Sequence, residues 1–358
     1  MKIMIDIGHP AHVHYFRNFI KIMNEKGHEF FITARNKEVT HELLNYYRIP
    51  FKSRGKGRRG YLGKFLYIFE ADYKLLKEAK KFNPDLFLSF GSAYAAQVSK
   101  IIGKPHIAFD DTEHAKYEHL MYVPFTDIIL TPSCFWKKFG AKQIFFNGYM
   151  ELCYLNKKYF QPDINIKKKL GLKFDGKYVV LRFVSWGASH DTGQSGLSDE
   201  TKLNLVNFLK SYNYKIFISS EADLPENLEK YKLNIHPAEF HSILAYAQLY
   251  IGEGSTTSSE CSILGTPNIY VNSLSVGNCK EQEEKYGLCF HLKNDNKVID
   301  IVKELLIRKN LKDEWNNKRE KMLSDKIDVT AFMVWFVENY PKSVKILKEN
   351  PDYQFNFR

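Results

Sequence analysis

Residues 249–271 narrow the possible folds more than any other stretch. The apolar run Leu249-Tyr250-Ile251 reads as a buried strand, and Gly252-Glu253-Gly254-Ser255-Thr256-Thr257 as a turn of small residues. The segment through Glu260 reads as a helix stopped by Gly265 and Pro267, and Asn268-Ile269-Tyr270-Val271 as the next strand. Strand, glycine turn, helix, glycine–proline stop and strand make a βαβ unit. Such a helix begins with amides that no helical carbonyl takes and with the positive end of its dipole, which suits a phosphate. The backbone at Gly254 and the hydroxyls of Ser255, Thr256 and Thr257 lie at that end. Glu260, one to two turns in, suits a ribose diol, as an acidic residue does in dinucleotide sites. The same residues also suit an ordinary βα turn capped by serine and threonine.

A chain of 358 residues is long for one core, and two domains of about 150–180 residues are expected. No apolar stretch approaches the roughly 18–20 residues of a membrane span. The chain opens with a strand, Lys2-Ile3-Met4-Ile5-Asp6, rather than a signal peptide. Its five cysteines are scattered and none has zinc-ligand spacing, so reduced thiols and a cytoplasmic location are expected. The net charge of +11 favours anionic partners. With no helix-turn-helix, zinc-finger or RNP-type pattern, nucleic acid is not expected among them.

The first half alternates strand and helix, which predicts a parallel, doubly wound sheet with ligands at the carboxyl ends of its strands. Lys2–Ile7 runs into Gly8-His9-Pro10-Ala11-His12-Val13-His14, a loop with no GxGxxG fingerprint and hence no tightly bound dinucleotide. His12 and His14 are two apart and do not share a helical face. We expect no metal there, and His12 reads instead as a hydrogen-bond donor or proton shuttle. Arg54 to Lys64 belong to a basic, glycine-rich loop. It reads either as a solvated mobile loop or as one that closes on an anionic substrate or rests on anionic lipid. His106–Phe109 is a strand ending at Asp110-Asp111-Thr112-Glu113-His114-Ala115. Crowded carboxylates raise one another's pKa toward the range of a general base. The alternative is a helix cap by Asp111 or Thr112, with Glu113 in the first turn.

Lys157–Asp175, polar and lysine-rich, reads as a linker. The second half restarts with the strand Lys177–Arg182 and a βα loop, Phe183-Val184-Ser185-Trp186-Gly187 and onward, that places Arg182 and Ser185 where a phosphate is met. A helix over Asp199–Lys210, a strand over Tyr214–Ile218 and a helix through Phe240 to Ala247 precede the 249–271 unit.

Taken together, Ile5-Asp6-Ile7-Gly8-His9-Pro10-Ala11-His12-Val13-His14, Asp110–Ala115, Gly148-Tyr149-Met150-Glu151-Leu152, Gly254–Pro267 and Ile327-Asp328-Val329-Thr330 resemble the GT-B superfamily. That group includes the lipid II-forming N-acetylglucosaminyltransferase and the UDP-N-acetylglucosamine 2-epimerases. More narrowly, the chain resembles a GT-B-like family of archaea and bacteria, over nearly its whole length. The resemblance implies an α/β GT-B fold, with two doubly wound Rossmann-like domains facing a central cleft. Residues 1–160 would form the acceptor domain, 161–326 the nucleotide-sugar donor domain, and 327–358 a helix crossing back to the first domain. It also implies Glu260 on the ribose, Ser255–Thr257 near the diphosphate, and the acceptor near Gly8–His14. Two departures stand out. Where peptidoglycan-type transferases carry a glycine-serine-glutamine run, this chain has Phe183-Val184-Ser185-Trp186-Gly187. The histidine-arginine-glutamate-asparagine motif of the epimerases is absent, which counts against epimerisation.

The reading that follows is an inverting glycosyltransferase that uses a UDP-type sugar as donor substrate and needs neither metal nor cofactor. Asp111, Glu113 or His12 would be the base for an acceptor hydroxyl on a polysaccharide or a polyprenyl-diphosphate-linked glycan. Arg182 and the Ser255–Thr256 helix start would stabilise the leaving diphosphate. The Arg54–Lys64 loop would provide peripheral contact with the inner face of the cell membrane. The alternatives are a nucleotide-sugar 2-epimerase and a non-catalytic nucleotide-sugar-binding protein.

Overall fold

The structure is a computed structural model describing residues 1–57, 60–184 and 195–358, with 61, 62, 64 and 65 described by backbone alone. The chain divides into two compact units. One is Met1–Tyr154 with Ile327–Arg358; the other is Leu155–Lys326.

Among the described residues the first unit holds seven parallel strands, β1 (Lys2–Ile7), β2 (Glu29–Ala34), β3 (Lys52–Ser53), β4 (Leu86–Phe90), β5 (His106–Phe109), β6 (Ile128–Pro132) and β7 (Gln143–Phe146). Their order is β3-β2-β1-β4-β5-β6-β7. Ile3, Met4, Ile5 and Ile7 of β1 are all fully buried, the near-continuous apolar pattern of a parallel strand covered on both faces. The chain winds outward from β1 to β3, returns to β4 beside β1, and winds the other way. The strand order therefore reverses between β1 and β4, where open α/β sheets bind ligands beyond their carboxyl ends.

The helix after β1, Pro10–Glu25, starts where its residues dictate. His9 accepts from the Ala11 amide through Nδ1, and Pro10 occupies the first turn. Val13, Phe16, Phe19, Ile20 and Met23 form its buried face. The returning segment packs on this unit through Val329–Glu338, apolar nearly all round and capped by Asp328, which accepts from the Ala331 amide at 2.9 Å. Thr330 donates to the Cys153 carbonyl at 2.9 Å, and the Ile327 amide to the Asn147 carbonyl at 3.0 Å. A Cβ on Gly148 would lie 2.4 Å from Val329 Cγ2. The Gly148–Leu152 and Ile327–Thr330 motifs are thus two sides of one joint.

The second unit holds, among the described residues, β8 (Tyr178–Phe183), β9 (Lys215–Ser220), β10 (Leu249–Gly252), β11 (Asn268–Val271) and β12 (Cys289–Leu292), in the order β12-β11-β10-β8-β9. All are parallel, and the order reverses between β8 and β10, where Gly252 pairs with Arg182. The polar stretch expected as a linker is part of this unit. It forms a short helix, Ile166–Lys169, with Ile166 fully buried, and the Asp163 amide donates to Ser242 Oγ at 3.1 Å. One buried isoleucine and fixed backbone bonds override the lysine-rich composition. Among the described residues no helix is long and apolar enough to cross a membrane.

Candidate functional site

At the switch point of the first unit, the turn after β1 meets the ends of β2, β3 and β4. Asp6, the one acidic residue in β1, is 1% exposed and paired with Arg54, which is 3% exposed. Arg54 Nε and Nη2 donate to the two carboxylate oxygens at 2.7 and 3.1 Å. Thr33 and Ser92 hydroxyls add donors at 2.7 and 2.6 Å. Arg54 also donates to Tyr67 Oη at 3.1 Å and lies over the Tyr94 ring. This corrects the expectation for the basic loop: its first arginine is not a surface cation. A carboxylate inside a buried strand needs a counter-charge, and Arg54 supplies it.

His12 stands above this pair. Its Nδ1 accepts from the Gly8 amide at 3.3 Å, and its ring lies 4.8 Å from that of Phe90. Burial, with the charges of Lys37 and Arg54 outweighing that of Asp6, lowers its pKa to about 3. At neutral pH His12 is an uncharged imidazole with its hydrogen on Nε2: a donor, and too weak a base to take a hydroxyl proton. His14 is buried and stacks on Tyr154.

The acidic loop after β5 sorts its carboxylates into distinct roles. Asp110 is buried and fully engaged, accepting from the Thr112 amide at 2.8 Å, His119 Nε2 at 2.8 Å and Tyr122 Oη at 2.5 Å. Asp111 is half-buried, and burial together with the Asp110 charge raises its pKa to about 7. The Thr112 hydroxyl donates to it at 3.3 Å. Glu113 is 5% exposed. The helix-cap alternative is not realised: the next helix, Lys116–Tyr122, has Ala115 at its N-cap and no side-chain cap. Asp111 carries a pKa that fits proton transfer near neutrality, and His12 does not.

In the second unit, the helix Ser255–Leu264 follows β10 with Gly254 at its N-cap and no side-chain cap. Ser255 and Thr256 are half-buried and Thr257 is buried. Arg182 lies alongside, its Nε 4.0 Å from where a Cβ on Gly254 would sit. Its guanidinium also donates to Ser219 Oγ at 2.8 Å and to Glu221 at 2.7 Å, so part of its charge is neutralised. Glu260 is 5% exposed, and its Oε1 accepts from His241 Nε2 at 2.9 Å. A ribose reaching this carboxylate would share it with His241. Ser185 lies outside the described residues. Among the described residues no three His, Cys, Asp or Glu side chains come together as a metal site.

Sequence reasoning passed over Glu253. It is 1% exposed and accepts from the Val184 amide at 2.9 Å and the Leu197 amide at 2.8 Å, tying together the two flanks of residues 185–194. Its signal was legible: a carboxylate directly after a buried strand and between two glycines. His241, the partner of Glu260, had none, because the fold alone brings the two helices together.

The architecture is that of GT-B proteins. The Methanocaldococcus jannaschii UDP-GlcNAc 2-epimerase in complex with UDP-GlcNAc and UDP superposes with a TM-score of 0.62 at 14% identity, over 90% of this chain and 100% of that one. SsfS6, a Streptomyces glycosyltransferase, superposes with a TM-score of 0.57 at 13% identity, over 94% and 99%. In sequence, the chain is 26% identical over 298 residues to the UDP-N-acetylglucosamine–N-acetylmuramyl-(pentapeptide) pyrophosphoryl-undecaprenol N-acetylglucosamine transferase of Thermosipho africanus, covering 78% of this chain and 81% of that protein. It is 25% identical over 331 residues to the uncharacterized protein MJ0665 of M. jannaschii, covering 86% and 92%. A family profile matches residues 1–342, and the chain belongs to that family, described as protein of unknown function (DUF354).

Proposed function

We propose that the protein is a metal-independent glycosyltransferase that moves a sugar from a UDP-type nucleotide sugar to a hydroxyl on a polysaccharide or lipid-linked acceptor. The observation that carries this reading is the start of the Ser255–Leu264 helix. It opens on glycine with no side-chain cap, at the switch point of its sheet, beside Arg182. Amides, dipole and guanidinium together are what a departing diphosphate needs in place of a metal. In the first unit Asp111, with its pKa near 7, takes the proton of the acceptor hydroxyl. His12 donates through Nε2 and orients the acceptor. The name of the T. africanus relative supports transfer to a lipid-linked acceptor.

Epimerisation is the second reading, because a carboxyl with a pKa near 7 can also move a proton on carbon. Two measurements test the pair. Calorimetry with UDP, GDP, CMP and TDP on the wild type, Glu260→Ala and Glu260→Gln should show UDP binding that weakens at least tenfold when the carboxylate is removed. UDP-N-acetylglucosamine supplied alone should remain unchanged. Its conversion to the 2-epimer without acceptor would replace the transferase by the epimerase, and failure of every nucleotide to bind would sink both.

A further inference from the structure

Arg35 directly follows β2, and its amide donates to the Ile7 carbonyl at 2.9 Å, which fixes it beside the Gly8 turn. Among the described residues no carboxylate lies within ion-pair distance of its guanidinium, and its buried Nε has no hydrogen-bond partner. Its neighbours are accounted for differently. Arg54 is paired with Asp6, and Lys74 with Glu70 at 2.7 Å. Lys37 meets the exposed Glu38, at 3.2 Å. Asp72, the remaining acid of this cluster, has its pKa raised to about 7 by burial and the Asp6 charge, and the Arg54 charge opposes that rise. Among the described residues, then, no ion pair takes up the positive charge of Arg35. A guanidinium with no counter-charge can take an anion through its planar fork.

The surroundings hold the guanidinium in place. A Cβ on Gly57 would lie 2.3 Å from Arg35 Nη2, so the loop after β3 runs against the guanidinium. The Arg35 charge also reaches Tyr94, and the Lys37 charge reaches His12. These residues stand at the carboxyl ends of β1, β2 and β4, at the switch point. We propose that Arg35, with Lys37 and the Nε2–H of His12, is the seat of a phosphate or diphosphate group, so that the molecule bound by the first unit is a phosphate ester. Its planar fork, with no ion-paired carboxylate among the described residues, makes Arg35 the main ligand. The proposal deepens the glycosyl-transfer reading by defining the acceptor's chemistry, and it rests on that reading only for the word acceptor.

The test is calorimetry of inorganic pyrophosphate binding to the full chain at fixed ionic strength, with UDP present to occupy the second unit. Arg35→Gln should weaken binding at least tenfold, Lys37→Gln a few-fold, and Arg35→Lys by an intermediate amount. The exposed Lys21→Gln should leave it unchanged. Thermal melts of each variant confirm that it is folded. Geranyl diphosphate and glucose 1-phosphate, titrated in parallel, distinguish a lipid-linked from a soluble phosphate, and Arg35 dependence of either supports the seat. Pyrophosphate binding that is absent in the wild type, or equal in wild type and folded Arg35→Gln, overturns it. If UDP itself does not bind, the nucleotide reading fails, while the comparison of wild type with Arg35→Gln still decides the seat.

Discussion

Replacing Arg54 by methionine tests whether the buried pair organises the first unit. The substitution keeps most of the side-chain volume and removes the charge. Asp6, 1% exposed, would keep the Thr33 and Ser92 hydroxyls as donors and lose two N–H donors at 2.7 and 3.1 Å. Removing one partner of a buried ion pair costs about 3–5 kcal/mol, and the two surviving donors place this case near ~3. The contact of Arg54 with the face of Tyr94 adds about 1 kcal/mol. For a unit of this size the total of roughly 4 kcal/mol lowers Tm by about 8–16 °C, read by calorimetry. The double variant Asp6→Asn/Arg54→Met removes the stranded charge and should recover about 2 kcal/mol relative to the sum of the single variants. A loss below ~1 kcal/mol for Arg54→Met, or strict additivity in the double variant, would refute the claim that the two charges depend on each other.

Asp111, with its pKa raised to about 7, ionises late. Turnover should therefore climb with pH through that value, and Asp111→Asn should abolish the climb. The same shift means that the folded chain binds more protons than the unfolded one between about pH 4 and 7, so this group lowers stability as pH rises across that window, and Asp111→Asn should flatten the slope. Glu253→Ala removes the acceptor of both the Val184 and Leu197 amides. Charge-assisted bonds of this kind contribute about 1.5–3 kcal/mol each, so hydrogen exchange at those two amides should accelerate at least tenfold, and unchanged exchange would show that the clasp is not needed. Gly265 ends the Ser255–Leu264 helix at φ 72°, with a Cβ there 2.6 Å from Asn316 Oδ1. Gly265→Ala should cost about 1–2 kcal/mol in urea denaturation.

The parallel, doubly wound character of both halves was legible because β1, β8 and β10 are short apolar runs that end at glycine or polar turns. The Leu249–Val271 unit could be read almost to the residue: β10, helix and β11 fall where the small residues and the Gly265–Pro267 stop put them. Boundaries set by tertiary contact were harder. The helix read over Asp199–Lys210 runs on to Ser211, and the strand read over Tyr214–Ile218 spans Lys215–Ser220. Composition misled most at Lys157–Asp175, where lysines suggested a solvated linker and a single buried isoleucine anchors a helix. At the candidate site, periodicity carried residues to the right sheet edge but said nothing about their partners. Asp110 and Asp111 are adjacent in sequence. Yet His119, Tyr122 and the Thr112 amide engage the first, while the second keeps its raised pKa.

The arginines of the first unit show why charge in a sequence is a poor guide to charge at a site. Arg54, in a run of lysines, arginines and glycines, looks like surface charge and is in fact consumed by Asp6. Arg35 directly follows β2, and among the described residues the order of β3, β2 and β1 brings no carboxylate into an ion pair with it. A formal net charge of +11 treats the two alike. What distinguishes them is whether a strand-borne acid lies beneath, and that depends on topology. The electrostatics of the Gly8 turn follow from this pairing. Asp6 offsets Arg54, burial and then the charge of Lys37 keep His12 neutral, and Arg35 is left to meet an anion. If Arg54 were freed by Asp6→Asn, a second unbalanced guanidinium would stand beside the first, and pyrophosphate should bind more tightly in that variant than in the wild type. Weaker binding would mean that the pair positions the seat and does not merely spare it a competing charge.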